Sequence, residues 1–136
     1  MMNERISSIM VTDVVTAGPD DSLTLIIDLF KKHNVHHVPI TDHKKLVGII
    51  TTFDLFWLNR PFEDYDEIFV RDVMTKKVAY LGPEDKVGSA AQIFLDNRFH
   101  ACPIVREEIL VGILTSHDVL KYQYKKAYPS EFDESW

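Results

Sequence analysis

The chain has 136 residues, of which 46% are hydrophobic, with 15 Lys and Arg against 21 Asp and Glu for a formal net charge of −6. That is the size of one ordinary soluble domain with enough apolar material for a core, and the acidic balance speaks against a nucleic-acid binder, which carries a basic face. The single cysteine, Cys102, excludes an intramolecular disulfide framework and any Cys-x-x-Cys zinc or redox motif.

Residues 6–56 align with 70–120 at a constant offset of 64 without a gap, with 15 identical pairs in 51 positions. Among them are Met10/Met74, Gly18/Gly82, Phe30/Phe94, His36/His100, Pro39/Pro103, Gly48/Gly112, Thr51/Thr115 and Asp54/Asp118. Such self-similarity marks an internal duplication. Taken in order, Val14–Ala17 and Val78–Leu81 are β-rich runs ended by Gly-Pro, a turn signal. With Asp21 or Ser22 as N-cap, Leu23, Ile26, Ile27 and Phe30 predict an amphipathic helix, and Val87, Ala90, Ala91 and Phe94 repeat it. His37–Ile40 and Ala101–Ile104 are short extended segments, because proline removes a donor and disfavours the helical region for its predecessor. Polar turns at Asp42–Lys45 and Arg106–Glu108 lead into the most apolar strands, Leu46–Thr51 and Leu110–Thr115. Thr52 and Ser116 are the expected caps of closing helices over 53–59 and 117–124, the first ended by Pro61. Each repeat therefore reads β-α-β-β-α, in an α+β fold. The expected organisation is a first repeat over 6–60, an acidic and aromatic connector over 61–69, a second repeat over 70–124 and a tail over 125–136 that is frayed or docked through its aromatics.

Chemistry concentrates where each buried strand runs into a helix, at Gly48–Asp54 and Gly112–Asp118. Glycine allows close approach to the backbone, and a helix start offers N–H donors and a favourable dipole to an anion. Thr51 and Thr115 can donate a hydroxyl to a phosphate. Asp54 and Asp118 can accept from two vicinal hydroxyls, as on a ribose. The apolar segments at Pro39-Ile40 and Pro103-Ile104 could form an adenine slot, with the backbone at Thr16-Ala17 or Tyr80-Leu81 reading the base edge. The competing reading is that both aspartates only cap a first helical turn.

The duplicated pattern, with Val73-Met74-Thr75, His-x-x-Pro-Ile and Leu-Val-Gly-Ile-(Ile/Leu)-Thr-x-x-Asp, resembles a tandem pair of CBS (cystathionine β-synthase) domains over about residues 6–124. The resemblance implies two repeats packed through their sheets about a pseudo-twofold axis, with two clefts that in many members bind adenosine compounds such as AMP, ADP, ATP or S-adenosylmethionine. It makes Thr51 with Asp54, and Thr115 with Asp118, the phosphate and ribose pairs. His37 falls where some members place a basic phosphate contact; its counterpart is Ala101, and Phe53 answers to His117, so the clefts are expected to differ, with a phosphate better served by His37 or His117 than by Phe53. The first copy departs from the pattern at Ile9-Met10-Val11, where a small polar residue usually follows the methionine.

The expected function is thus a regulatory, ligand-sensing module that signals to a partner protein, requires no cofactor and pairs into a homodimer through apolar surface at Leu55–Leu58 and Val119–Tyr124. The rival is a structural docking or dimerisation module with vestigial clefts, using the aromatic tail. Catalysis is not expected, since no Walker A, GxGxxG, HExxH or GxSxG motif occurs. His33, His36, His37 and His43 suggest a metal, but only His36 recurs in the second copy and zinc sites need three or four converging ligands. Cys102, two residues from His100, is expected to pack rather than react. Glu107-Glu108 and Asp20-Asp21 read as solvated or capping pairs. No signal peptide precedes Arg5 and no apolar run reaches the roughly 20 residues of a membrane helix, so a soluble cytoplasmic protein without membrane insertion is expected.

Overall fold

In the computed structural model, which describes residues 2–97 and 99–136, each repeat carries a hairpin with a turn of only two residues. β1 (His37–Asp42) and β2 (Lys45–Thr51) are joined by His43-Lys44; β3 (Ala101–Arg106) and β4 (Ile109–Thr115) are joined by Glu107-Glu108. Both residues of each turn have positive φ, 51° and 70° in the first and 50° and 70° in the second. That is the type I′ geometry, which matches strand twist but favours Asn-Gly, so these turns hold L-residues in a conformation their Cβ atoms resist. The β1–β2 pairing runs antiparallel from His37 opposite Thr51 to Asp42 opposite Lys45, with a bulge between Ile40 and Thr41.

The amphipathic periods produce α1 (Leu23–His33) and α3 (Val87–Asn97). α1 runs three residues beyond the expected stripe and stops at Asn34, which takes the left-handed conformation at φ 52°. Its N-cap is Ser22, yet no side chain caps it; Asp21 instead accepts the Gly18 N–H at 2.7 Å and closes the Gly-Pro turn. The closing helices are α2 (Thr52–Leu58) and α4 (Ser116–Ala127), and here the expectation is corrected by one residue: the caps are Thr51 and Thr115, with Thr52 and Ser116 already helical. α2 ends at Asn59, again left-handed, before Pro61 is reached. The expected strands at Val14–Ala17 and Val78–Leu81 shrink to single parallel bridges, Ala17 to Ile40 and Leu81 to Ile104. The Gly-Pro turn that follows at once leaves no further residues to extend either ladder.

The chain divides into two compact bodies that do not coincide with the order of residues. One holds Val15–Ala79 with Glu107–Leu110; the other holds the chain up to Val14 with Tyr80–Arg106 and Val111–Trp136. In the first, the segment 68–75 forms an arm on the body of the first repeat: Leu23 N–H donates to Ile68 O at 3.1 Å, Val70 N–H to Asp21 O at 2.8 Å, and Arg71 N–H to Pro19 O at 2.9 Å. In the second, the segment 4–11 forms the same arm on the second repeat: Val87 N–H to Glu4 O at 2.9 Å, Ile6 N–H to Asp85 O at 2.8 Å, and Ser7 N–H to Pro83 O at 3.0 Å. Each repeat is thus completed by the leading segment of the other copy. Residues 107–110 join the first body through Leu46 N–H to Glu108 O and Leu110 N–H to Lys44 O, with Lys45 paired antiparallel to Ile109.

Each body has its own core. Leu23, Ile26, Val38, Ile40, Ile50 and Val70 are wholly buried in the first, as are Ile6, Val87, Ala90, Ile104 and Leu114 in the second. A buried aliphatic side chain of this size contributes about 1.5–3 kcal/mol, so the arms, through Val70 and Ile6, supply part of each core. In the first body the 3₁₀ helix Phe62–Glu67 adds the buried Tyr65. In the second the tail folds back on α4: the rings of Tyr124 and Trp136 lie 5.0 Å apart, those of Phe132 and Trp136 5.7 Å.

Candidate functional site

Thr51 and Thr115 end their strands in extended backbone and open the following helices, a position that makes each a cap. In the first body Asp54 Oδ2 accepts from the Thr51 N–H at 2.8 Å and from its hydroxyl at 3.3 Å, while Asp54 N–H donates to Thr51 Oγ1 at 3.3 Å. In the second, the same three bonds of Thr115 and Asp118 measure 2.9, 2.9 and 3.1 Å. These are complete capping boxes. The Thr and Asp of each pair therefore hold one another, and the hydroxyl hydrogen expected to meet a phosphate points to a carboxylate.

That geometry still leaves chemistry open. Every described bond of the two carboxylates runs through Oδ2, so Oδ1 of Asp54 and of Asp118 is the acceptor that a ligand hydroxyl can use. The helix starts offer fewer donors than the sequence led us to expect. Thr52 N–H donates to His36 O at 3.2 Å and Ser116 N–H to His100 O at 3.0 Å, and the third N–H of each helix is spent in the box, so the Phe53 and His117 N–H groups remain. These belong to the position where a phenyl ring in the first motif answers to an imidazole in the second. Both side chains are exposed.

His37, half-buried, is the cross-strand partner of Thr51, so the structure brings imidazole and box together in the first body. Its counterpart Ala101 is buried at the start of β3, and there the imidazole sits on the helix, at His117. The base-reading residues are placed less favourably. Ala17 N–H donates to Pro39 O at 3.3 Å and Ala17 O accepts from Thr41 N–H at 2.9 Å; Leu81 N–H donates to Pro103 O at 3.2 Å and Leu81 O accepts from Val105 N–H at 2.8 Å. Their peptide groups are used within the strands. Thr16 and Tyr80, exposed beside them, are the better placed. Pro39, Ile40, Pro103 and Ile104 are fully buried, so their side chains belong to the interior and offer no open apolar slot. The sequence reading missed the carbonyls of His36 and His100; their identity in the two copies was the available signal.

Cys102 is 1% exposed, and burial pushes its thiol up to about 11. It is protonated near neutrality and packs among Ile104, Leu114 and Phe94, while His100 is exposed. Among the described residues no group of three His, Cys, Asp or Glu could hold a metal ion, and no helix is long and apolar enough to cross a membrane.

These features can be set beside known proteins. An inosine-5′-monophosphate dehydrogenase of Korarchaeum cryptofilum is 31% identical over 93% of this chain, which spans 25% of that enzyme; a second, from Methanocaldococcus jannaschii, is 33% identical over 93% of this chain. The chain thus covers about a quarter of the length of these relatives. Among solved structures, the CBS domain pair of protein MJ0100 in complex with 5-methylthioadenosine and S-adenosyl-L-methionine superposes with a TM-score of 0.80 at 27% identity, over 91% of this chain and 98% of that one. The CBS domain of a CBS domain containing membrane protein from Sphaerobacter thermophilus gives 0.78 at 29%, over 88% of each chain. The CBS domain family model matches residues 6–58 and again 70–125, and the chain belongs to the CBS domain family, with two copies of the domain.

Proposed function

We propose that this chain is a regulatory module that binds an adenosine-containing ligand at its Thr-x-x-Asp elements and passes the binding on to a partner protein. The observation that carries the reading is the doubled capping box, in which Asp54 and Asp118 each keep Oδ1 as an acceptor beside one helix N–H. A ribose takes two hydrogen bonds to such a carboxylate; a phosphate is met by the Phe53 or His117 N–H and by the imidazole of His37 or His117. A domain pair of the same fold and 27% identity binds 5-methylthioadenosine and S-adenosyl-L-methionine, which supports an adenosine ligand here. Regulation requires that the ligand favour one of two arrangements of the protein, because equal affinity for both shifts nothing.

The test is a thermal-shift titration with AMP, ADP, ATP, S-adenosylmethionine and methylthioadenosine. A ligand at 100 times its dissociation constant stabilises by about 2.7 kcal/mol. The expected result is a saturable shift with at least one of them that Asp54→Ala or Asp118→Ala weakens; no shift with any at millimolar concentration overturns the reading.

The docking alternative has one observation of its own. Phe56, Trp57 and Phe62 are all more than 70% exposed on the first body, and the residues 64 positions further along the chain are Leu120, Lys121 and Lys126. We place a second copy of the chain on this face, as a homodimer contact compatible with ligand binding. Sedimentation of the wild type as a dimer and of Trp57→Ser as a monomer is the expected outcome. The tail aromatics are engaged with α4, which disfavours them as the docking element.

A further inference from the structure

Two of the four methionines, Met10 and Met74, occupy equivalent places in the two copies. The Sδ of Met74 lies 2.6 Å from where a Cβ on Gly48 would stand, and the Sδ of Met10 lies 2.6 Å from the corresponding point on Gly112. Each thioether therefore fills a notch in the middle of a strand that only glycine leaves open. The next residue of each arm is bonded to the next residue of the strand: Thr75 and Ile49 exchange N–H to O bonds of 2.9 and 3.0 Å, and Val11 and Ile113 exchange two of 2.9 Å. The sulfur thus sits beside the end contact of each arm. Both methionines are half-buried, within reach of a small solute, whereas the thiol of Cys102 is sealed in the core.

We propose that Met10 and Met74 are oxidation sites, and that converting their thioethers to sulfoxides with hydrogen peroxide releases the arms from the strands. In the reaction a sulfur lone pair attacks one peroxide oxygen, the S–O bond forms as the O–O bond breaks, and the departing hydroxide takes the proton from the oxygen now bound to sulfur and leaves as water. The sulfur loses two electrons and the peroxide gains them. The product is larger at the one atom the notch admits, and it carries a polar oxygen where the thioether met backbone and apolar side chains. The thioether is restored by a dithiol reductant that becomes a disulfide as the oxygen leaves as water.

The experiment compares amide hydrogen exchange of the full chain before and after hydrogen peroxide, with peptide mass spectrometry locating the added oxygen. One oxygen on Met10 and one on Met74 are expected, with exchange at Val11, Ile113, Thr75 and Ile49 accelerated at least tenfold. The amides of Thr41 and Val105, bonded within each body away from the arms, keep their rates. Chain in which norleucine replaces methionine keeps the shape of the side chain without the sulfur and is expected to show no acceleration. Treatment of the oxidised chain with methionine sulfoxide reductase and thiol is expected to restore slow exchange. The proposal is overturned if Met10 and Met74 stay unmodified while the terminal methionines oxidise, if they oxidise with the four amides unchanged, or if the norleucine chain accelerates equally. None of these readouts depends on a nucleotide.

Discussion

The helix start after β2 and the one after β4 have the same box, the same bonded backbone donors and nearly the same distances, and they differ in where the imidazole sits. In the first body it lies on the strand, at His37 opposite Thr51, with a phenyl ring on the helix at Phe53; in the second a buried Ala101 stands on the strand and His117 on the helix. The box is needed by the fold, because a short helix leaving a buried strand must satisfy its first N–H groups. What surrounds the box is free to diverge. The two copies therefore share the structural element and differ in the residues around it.

The sharpest way to probe that division is to remove the carboxylates separately. Asp118→Ala is expected to weaken the ligand bound at the second box by about 1.5–3 kcal/mol, the range for hydrogen bonds to a charged group, and to lower folding stability by about 1 kcal/mol through loss of the cap. Asp54→Ala is expected to show the same stability loss, checked by denaturant unfolding. If calorimetry finds the same affinity loss for the same ligand in both, the two sites are equivalent and the contrast between His37 and His117 has no functional weight.

A second pair of substitutions tests the structural half alone. Adding a methyl group at Gly48 or Gly112 drives it into the methionine sulfur and to within 2.9 or 3.0 Å of an arm carbonyl, so Gly48→Ala and Gly112→Ala are each expected to cost about 1–3 kcal/mol. Gly18→Ala and Gly82→Ala meet nothing nearer than 3.5 and 3.6 Å and are expected to be nearly neutral. Equal stability of all four would show that the arms do not seat as described.

Among the matched positions at which the cores differ, Val38 in the first corresponds to Cys102 in the second. With the thiol held near 11 against an ordinary value of 9.0, the unfolded chain ionises first as pH rises. Folding stability is thus complete below about pH 9 and falls between 9 and 11, by up to about 2 kcal/mol. Cys102→Val, which gives the second core the residue the first has at this position, is expected to remove that slope in unfolding curves taken across this range. The smallest effect concerns the turns. Replacing His43-Lys44 or Glu107-Glu108 by Asn-Gly relieves positive φ in L-residues and is expected to raise stability by about 1 kcal/mol each.

Much of this was legible in the residues. The stripe Leu23, Ile26, Ile27, Phe30 and its repeat specified α1 and α3 because burial on one helical face demands that spacing. Thr-x-x-Asp marked the helix starts, although the cap fell one residue before Thr52 and Ser116: a threonine that still belongs to the strand keeps the extended backbone a cap requires. Val14–Ala17 reads as a strand by composition, but a strand exists only through its partners, and composition names none. For the same reason Pro39 and Ile40 looked available to a ligand until the core that consumes them was seen. The exchange of arms had no local signature at all, since Ile6 and Val70 are equally apolar whichever body they complete.

That exchange bears on how the chain came to be. A polypeptide with one repeat would carry an arm and a body suited to each other only across copies, so its simplest stable form would be a pair of chains trading leading segments. Two such repeats joined in one chain make the trade internal. Joined in this way, the halves need not be identical, and one carries His37 with Phe53 while the other carries Ala101 with His117.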